Sequence, residues 1–324
     1  MVWIPGGTFL MGSDDFYPEE RPAHPVHVSG FWMDEHTVTV AAFARFAAAT
    51  GYVTLAERTP DPAEYPGAPS GVLVPGSLVF RQPGGPVPLS DPRHWWSWVP
   101  GTQWRHPEGP GSTVHGREGH PVTHLAYEDA AAYAGWAGKA LPSEAEWERA
   151  ARGGLDGAVY CWGDDLRPGG QVMANTWHGR FPWESLKAQV GTAPVRIYPP
   201  NSYGLFEMTG NVWEWTSDYF RAPHPTAQRA CCAPEDPRAD KPWHGDDGLR
   251  PDAHIPRRVV KGGSYLCSPS YCFRYRPAAR QGQAVETSSA HVGFRCVLRV
   301  PEAGDDGAAG EFRRHPADPA APGG

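Results

Sequence analysis

Between Pro60 and Pro121, proline and glycine recur every few residues, in runs such as RQPGGPVPLSDP and RHWWSWVPGTQWRHPEGPG. Proline fixes φ and removes a backbone donor, and glycine is costly to hold in a regular element, so no long helix or strand survives such punctuation. The rest of the chain is little more permissive, with 38 glycines and 36 prolines among 324 residues. That composition alone would suit a disordered chain. The 14 tryptophans, 12 tyrosines and 12 phenylalanines argue otherwise, because they supply apolar surface that disordered chains lack. The expectation is a compact, loop-rich fold in which aromatic packing replaces long regular elements. A structureless loop as long as Pro60 to Pro121 is unusual inside a domain; its tryptophans are expected to pack it on the core, where it lines something.

Where the punctuation relents, elements can be placed. VWIPGGTFLMGS and VHVSGFWMDEHTV predict an N-terminal strand pair. Thr39 can cap a helix with Phe43, Phe46 and Ala47 on one face and Gly51 at its end. AYEDAAAYAGWAGKALPSEAEWERAARGG is the best helical region. Its second half carries a capping box, Ser143 with Glu146, and Gly153 follows. GNVWEWTSD alternates as a strand, with Trp213 and Trp215 on one face and Val212 and Glu214 on the other. Arg221 to Pro256 reads as a surface excursion and HVGFRCVLRV as the last core strand. The tail 301–324 has almost no apolar content and is expected to be disordered.

Net charge is −7, which gives no electrostatic case for nucleic acid or an anionic membrane. No run approaches the roughly eighteen apolar residues of a membrane span. MVWIPGGTFLMGS lacks the charged and apolar regions of a secretory signal, so a cytoplasmic location is expected. No GxxxxGKS/T loop or GxSxG elbow supports nucleotide hydrolysis or serine-ester chemistry.

Six cysteines are present: Cys161, Cys231, Cys232, Cys267, Cys272 and Cys296. A disulfide framework is not expected in a reducing compartment. Cys267 and Cys272, in KGGSYLCSPSYCFRYRPAAR, are spaced i, i+5, which points them apart on a helix or strand, and Pro269 argues against either. Only a turn through Ser268-Pro269-Ser270 lets the sulfurs converge. No CxxC spacing or second Cys/His pair completes a zinc site. Two thiolates alone favour a soft, low-coordinate ion, Cu(I) first; a redox-active disulfide and an inert pair are the rivals, and spacing alone favours those two. Arg274, Arg276 and Arg280, with Arg257, Arg258 and Lys261 upstream, would lower a nearby thiol's pKa. The plainer reading makes them the solvated face of a strand shared with Phe273 and Tyr275. Glu207 and Glu214 flank a glycine-containing bend and could offer oxygens to Ca²⁺, or Glu214 lies on an ordinary exposed strand. HPVHV (His24, His27) and HPVTH (His120, His124) read as strands. The vicinal pair Cys231-Cys232 is left unassigned.

Taken together, WIPGGTFLMGS, WRHPEGP, HPVTHLAYEDAAAYAGWAGKALPSEAEWERAARGG, YGLFEMTGNVWEWTSD, KGGSYLCSPSYCFRYRPAAR and SSAHVGFRC closely resemble the formylglycine-generating enzymes, or sulfatase-modifying factors. The resemblance spans Val2 to Val300, so a domain over 1–300 is expected. IPGGxFxMGS, LPSEAEWE, GNVWEW and GFR are shared across a wide superfamily; the cysteine segment is the narrower signature. The resemblance implies an α+β, single loop-rich domain with little regular secondary structure, related to the C-type lectin fold. It implies oxidation of the cysteine of a CxPxR motif in unfolded or nascent sulfatase polypeptides to Cα-formylglycine, with O₂ and a thiol reductant. Cys267 and Cys272 then match a Cu(I)-holding pair, with Cys272 the one that forms a mixed disulfide with substrate. Ser264 and Trp213 match residues of an oxygen pocket, Tyr271 lies beside the pair, and Ser288 and His291 match polar residues near the substrate.

The same resemblance implies Ca²⁺ at Glu207, Gly210, Val212 and Glu214. At a second calcium position Asn175 and Thr176 match, but Lys187, within SLKAQV, stands near the place of an acidic ligand, which implies a lost or altered site. Cys296 has no partner, since Ala134 occupies the matching position, and Pro277 occupies another paired position. Both losses imply a bacterial-type enzyme without those disulfides. A non-catalytic binding module on the same fold is the alternative reading.

Overall fold

The computed structural model describes residues 1–63, 73–222, 224, 233–243 and 255–300. The expected tail, Cys231-Cys232 and most of the excursion after Arg221 lie outside them. The N-terminal strand region forms four short strands: β1 (Val2–Ile4), β2 (Gly7–Met11), β3 (His24–Val28) and β4 (Phe31–Met33). β2 pairs antiparallel with β3, and β1 with β4. Helix α1 (Val40–Thr50) starts where the Thr39 side chain accepts the Ala42 N–H, and ends at Gly51 in the left-handed region at φ 69°. Phe43, Phe46 and Ala47 are its buried face.

The Pro/Gly/Trp segment is partly regular: β5 (Gly76–Phe80) and β6 (Trp96–Pro100) form an antiparallel pair. Trp95 and Trp104 are buried, as a packed loop requires. Helices α2 (Tyr127–Trp136) and α3 (Glu144–Arg152) follow. Ser143 accepts the Glu146 N–H at 3.1 Å and donates its own to Glu146 Oε2 at 2.6 Å, which is the expected capping box. Then come β7 (Trp213–Tyr219), β8 (Arg257–Lys261), β9 (Arg280–Ala284), β10 (Val292–Gly293) and β11 (Val297–Arg299). β10-β7-β8-β9 make one sheet, with β10 parallel to β7, and β1-β4-β11 another. No helix among the described residues is long and apolar enough to cross a membrane.

Three expectations are corrected. HVGFRCVLRV is two strands in different sheets, because Arg295 turns inward to Glu214 between them. HPVTH makes only an isolated bridge, Thr39 to Pro121, and His124 has φ 60°. Arg276 and Arg280 are buried rather than solvated, and so is Glu214.

Those buried charges are paired. Glu144 takes Arg280 on both oxygens at 2.7 Å, and Lys261 lies 2.9 Å from Glu148 and 3.6 Å from Glu144. Arg152 reaches Glu148 at 2.7 Å, and Arg276 grips Glu20 at 2.6 and 2.8 Å. Burial alone would raise the α3 carboxyls. The cations outweigh it, Arg280 and Lys261 at Glu144, Lys261 and Arg152 at Glu148, and hold both down to about 2.

The folded state therefore refuses protons that the unfolded carboxylates accept below about 4.5. Stability present above that pH is expected to fall progressively towards pH 2 in denaturant titrations. Glu148→Gln takes the nearer carboxylate from the fully buried Lys261 and the paired one from Arg152 and should cost about 3–5 kcal/mol at pH 7, while weakening the acid dependence. An unchanged denaturation midpoint would contradict this account.

Candidate active site around the cysteine pair

β8 delivers the chain through Gly262 and Gly263, at φ 90° and 70°, into Ser264. A Cβ on Gly262 would lie 2.7 Å from Met208 O and one on Gly263 2.9 Å from Arg274 O, so the backbone passes here only as glycine. Cys267 N–H then bonds Ser264 O at 2.9 Å, and Cys272 N–H bonds Ser268 O at 2.8 Å. The Ser268-Pro269-Ser270 turn so formed brings the two sulfurs to 3.0 Å. That exceeds the ~2.05 Å of a disulfide, and both are free thiols. The Ser264 N–H points at Cys267 Sγ at 3.3 Å, and the Trp177 N–H holds Cys267 O at 2.8 Å.

The two thiols are unequal. Burial, then the neighbouring Cys272, pushes Cys267 well above the ordinary range. The hydrogen bond from Cys267, against opposing burial and with help from Arg274, brings the half-buried Cys272 down to about 7. Arg274 is itself held from the N-terminal segment: Glu19 takes it at 2.6 Å, and its guanidinium lies 3.8 Å from the Tyr17 ring centre. The Tyr17 hydroxyl accepts the Phe273 N–H at 3.0 Å, and Phe16 packs under Arg276 at 3.7 Å. Sequence reasoning missed this clamp, since Tyr17 and Phe273 are 256 positions apart.

Trp213 is buried in the same cluster as Cys267, with Cys272 packed against it. Tyr271 stacks on Phe181 at 4.4 Å and meets the edge of Trp95 at 5.5 Å. A cleft of about 290 Å³ opens beside Ser268–Ser270, between Trp162, Trp177, Met173 and Tyr275. His291 O accepts the Trp213 N–H at 2.9 Å, and the His291 ring lies 4.7 Å from Trp96. Burial lowers His291 to about 3, so it is neutral near pH 7. Ser288 is engaged elsewhere, donating to Ser77 at 2.8 Å, which contacts His124 Nδ1 at 2.8 Å.

The expected calcium ligands were given partners by the fold. Arg295 takes Glu214 at 2.7 and 2.8 Å, and the Trp147 indole N–H adds a third bond at 2.7 Å. One of the carboxylate's roughly four acceptor sites is left. The Glu207 carboxylate holds backbone N–H groups of the 196–198 stretch, Arg196 at 3.0 Å and Tyr198 at 3.4 Å with Ile197 between them, and burial raises its pKa. Gly210, at φ 77°, and Val212 lie on the bend between the two. The partners of Glu207 are neutral amides, whereas Arg295 already neutralises Glu214, so Glu207 fits a hard cation better. At the second position, Asn175 and Thr176 are buried, and Lys187 Nζ donates to Asn175 Oδ1. Among the described residues, no three His, Cys, Asp or Glu side chains gather as a metal site.

A family model described as the sulfatase-modifying factor enzyme 1-like domain matches residues 1–300. The chain belongs to that family. It is 52% identical to a formylglycine-generating enzyme of Mycobacterium tuberculosis over 92% of this chain and 97% of that one. It is also 36% identical to an inactive Cα-formylglycine-generating enzyme 2 of Mus musculus, over 92% of this chain and 85% of that one. The solved structure of PvdO from Pseudomonas aeruginosa has TM-score 0.56 at 22% identity, covering 91% and 92% of the two chains, and shows the shared fold.

In metal-free protein, alkylation should report Cys272 first, with a rate midpoint near pH 7. Arg274→Met removes a stabilising cation and should move that midpoint up towards the ordinary 9. Mass mapping of the labelled cysteine checks both; a wild-type midpoint already at 9 would overturn the electrostatic account.

Proposed function

We propose that this family member is a copper-dependent oxidase that converts the cysteine of a CxPxR sequence in newly made sulfatase polypeptides to Cα-formylglycine. The observation that carries the reading is the convergence of two unequal thiols at 3.0 Å, one buried and one half-exposed, in a chain 52% identical to a formylglycine-generating enzyme. Family membership alone is insufficient, because the family includes a relative named as inactive. The pair is what favours catalysis over a binding module.

The donor set fits the metal: two sulfurs joined by no histidine or carboxylate cluster among the described residues. Cys267 and Cys272 would hold Cu(I), which supplies a soft Lewis acid and a one-electron path between a thiol and O₂. Cys267, anchored by Ser264 and Trp177, keeps the buried sulfur fixed. Cys272 Sγ, held near its thiolate by the hydrogen bond from Cys267 with help from Arg274, can take the proton of an entering substrate thiol. Trp213 and Ser264 wall the buried side, and Tyr271, braced by Phe181 and Trp95, walls the open side. His291 is proposed to face the peptide directly, and Ser288, its hydroxyl given to Ser77, to support that wall from behind. Overall, CH₂SH and O₂, with two electrons and two protons from two reductant thiols, become CHO, hydrogen sulfide and water. The four described cysteines are thiols, which suits a reducing compartment, the cytoplasm.

Calcium is proposed as a structural ion held chiefly from Glu207, with Gly210, Val212 and the remaining acceptor of Glu214. Replacing Glu214 cannot test this, because it would orphan Arg295. Glu207→Gln is the cleaner variant: chelator should lower the wild-type Tm and leave that of Glu207→Gln unmoved. A wild-type melting curve indifferent to chelator would end the calcium proposal.

The activity test uses Cu(I)-loaded protein and the peptide Leu-Cys-Thr-Pro-Ser-Arg, under air and under nitrogen. Under air the peptide mass should fall by the difference between CH₂SH and CHO. Cys272→Ser should lose at least 100-fold in rate with its Tm retained. Conversion by that variant at the wild-type rate would remove the paired-thiol mechanism, and no conversion by wild type would leave a binding module.

A further inference from the structure

We propose that the Lys187 ammonium is a built-in cation that replaces a calcium ion at the Asn175–Thr176 loop, leaving that position metal-free. The inference rests on the family's second calcium position and is independent of the oxidase reading.

The Asn175 amide is fixed by its nitrogen, which donates to Gly191 O and to Asn211 Oδ1, each at 3.0 Å. Its oxygen is thereby turned to Lys187 Nζ. Asn211 is buried at φ 58° and is itself locked, accepting the Ala193 N–H at 2.8 Å and donating to Ala193 O at 3.1 Å. The oxygen that meets the cation is thus a neutral amide oxygen, and the Gly191, Asn211 and Ala193 oxygens that hold the amides behind it are neutral too. Such a set suits a hard cation, yet it offers no carboxylate to neutralise a divalent one. The charge on it is positive, the Lys187 ammonium; burial, then Lys187 and Arg167, lower the nearby His178, which is therefore a neutral imidazole. A calcium ion here would meet an ammonium already on its ligand, and no cluster of three acidic, His or Cys side chains among the described residues offsets the added charge. The half-buried lysine does the ordering instead, and being covalent it cannot be removed by dilution or chelation.

The location gives the substitution a purpose. Asn175 O accepts the Asn211 N–H at 2.8 Å, and two residues on, the Trp177 N–H holds Cys267 O. Ordering at Asn175 therefore supports the backbone of the buried thiol.

The test counts calcium bound per full-length chain, by elemental analysis after exhaustive dialysis. In a Glu207→Gln background, which disables the first proposed position, the chain with Lys187 should bind none. Adding Lys187→Asp should raise the count by one and make the Tm calcium-dependent. Lys187→Met, which keeps the stem and removes the charge, should lower the Tm by about 3 °C or more, with no recovery in calcium. Two calcium ions on the wild-type chain, or an unmoved Tm in Lys187→Met, would overturn the proposal. Should Lys187→Asp fail to fold, those two measurements decide it. Loss of calcium from the first position alone would bear on Glu207 and leave Lys187 untouched.

Discussion

Lys261 exposes no surface, and its ammonium lies between two equally buried carboxylates, Glu148 and Glu144. The next residues in the chain are the glycines that lead to Ser264 and Cys267. At the other end of the cysteine segment, Arg276 is fastened to Glu20 and Arg280 to Glu144. The thiol turn is therefore a loop stretched between buried ion pairs, two of which share one α3 carboxylate. Desolvating so many charges is expensive, and apolar residues of equal volume could match them for stability. What they supply is direction: each guanidinium fork accepts its carboxylate in one orientation, so the ends of the turn have one place to go.

This explains how a chain with so few long elements holds the two sulfurs together. The strands are short, and the cysteine segment between β8 and β9 has no strand or helix of its own. Aromatic clusters fill the volume around it, and ion pairs fix its register. Arg295 plays the same part beyond β7, crossing from the β10–β11 break to Glu214 and to the carbonyls of Phe206 and Glu207. The two systems meet at Trp147, whose indole bonds Glu214 while its ring lies 5.8 Å from the Lys261 ammonium.

What was legible in the sequence was local. Thr39 and Gly51 bound α1, Ser143 and Glu146 cap α3, and Pro269 forces the turn that brings the sulfurs together, because each depends on residues a few positions apart. What was illegible depended on distant partners. Arg274 and Arg276 alternate with aromatics as a solvated strand would, and nothing nearby announces Glu19 and Glu20, which lie more than 250 residues away. Arg295 sits inside an apolar run that reads as one strand; only Glu214, 81 positions earlier, explains why the run breaks in two. The resemblance to sulfatase-modifying factors supplied the pairing of roles that periodicity could not.

The clamp of Phe16, Tyr17, Glu19 and Glu20 on residues 273–276 also orders events in time. The first of these residues leave the ribosome early, and their partners are among the last of the domain to be made. Until both are present, the turn lacks an anchored end and Arg274 lacks the Glu19 and Tyr17 contacts that hold it. A chain that has not closed this clamp lacks the folded setting that lowers Cys272, and its cysteines are ordinary thiols.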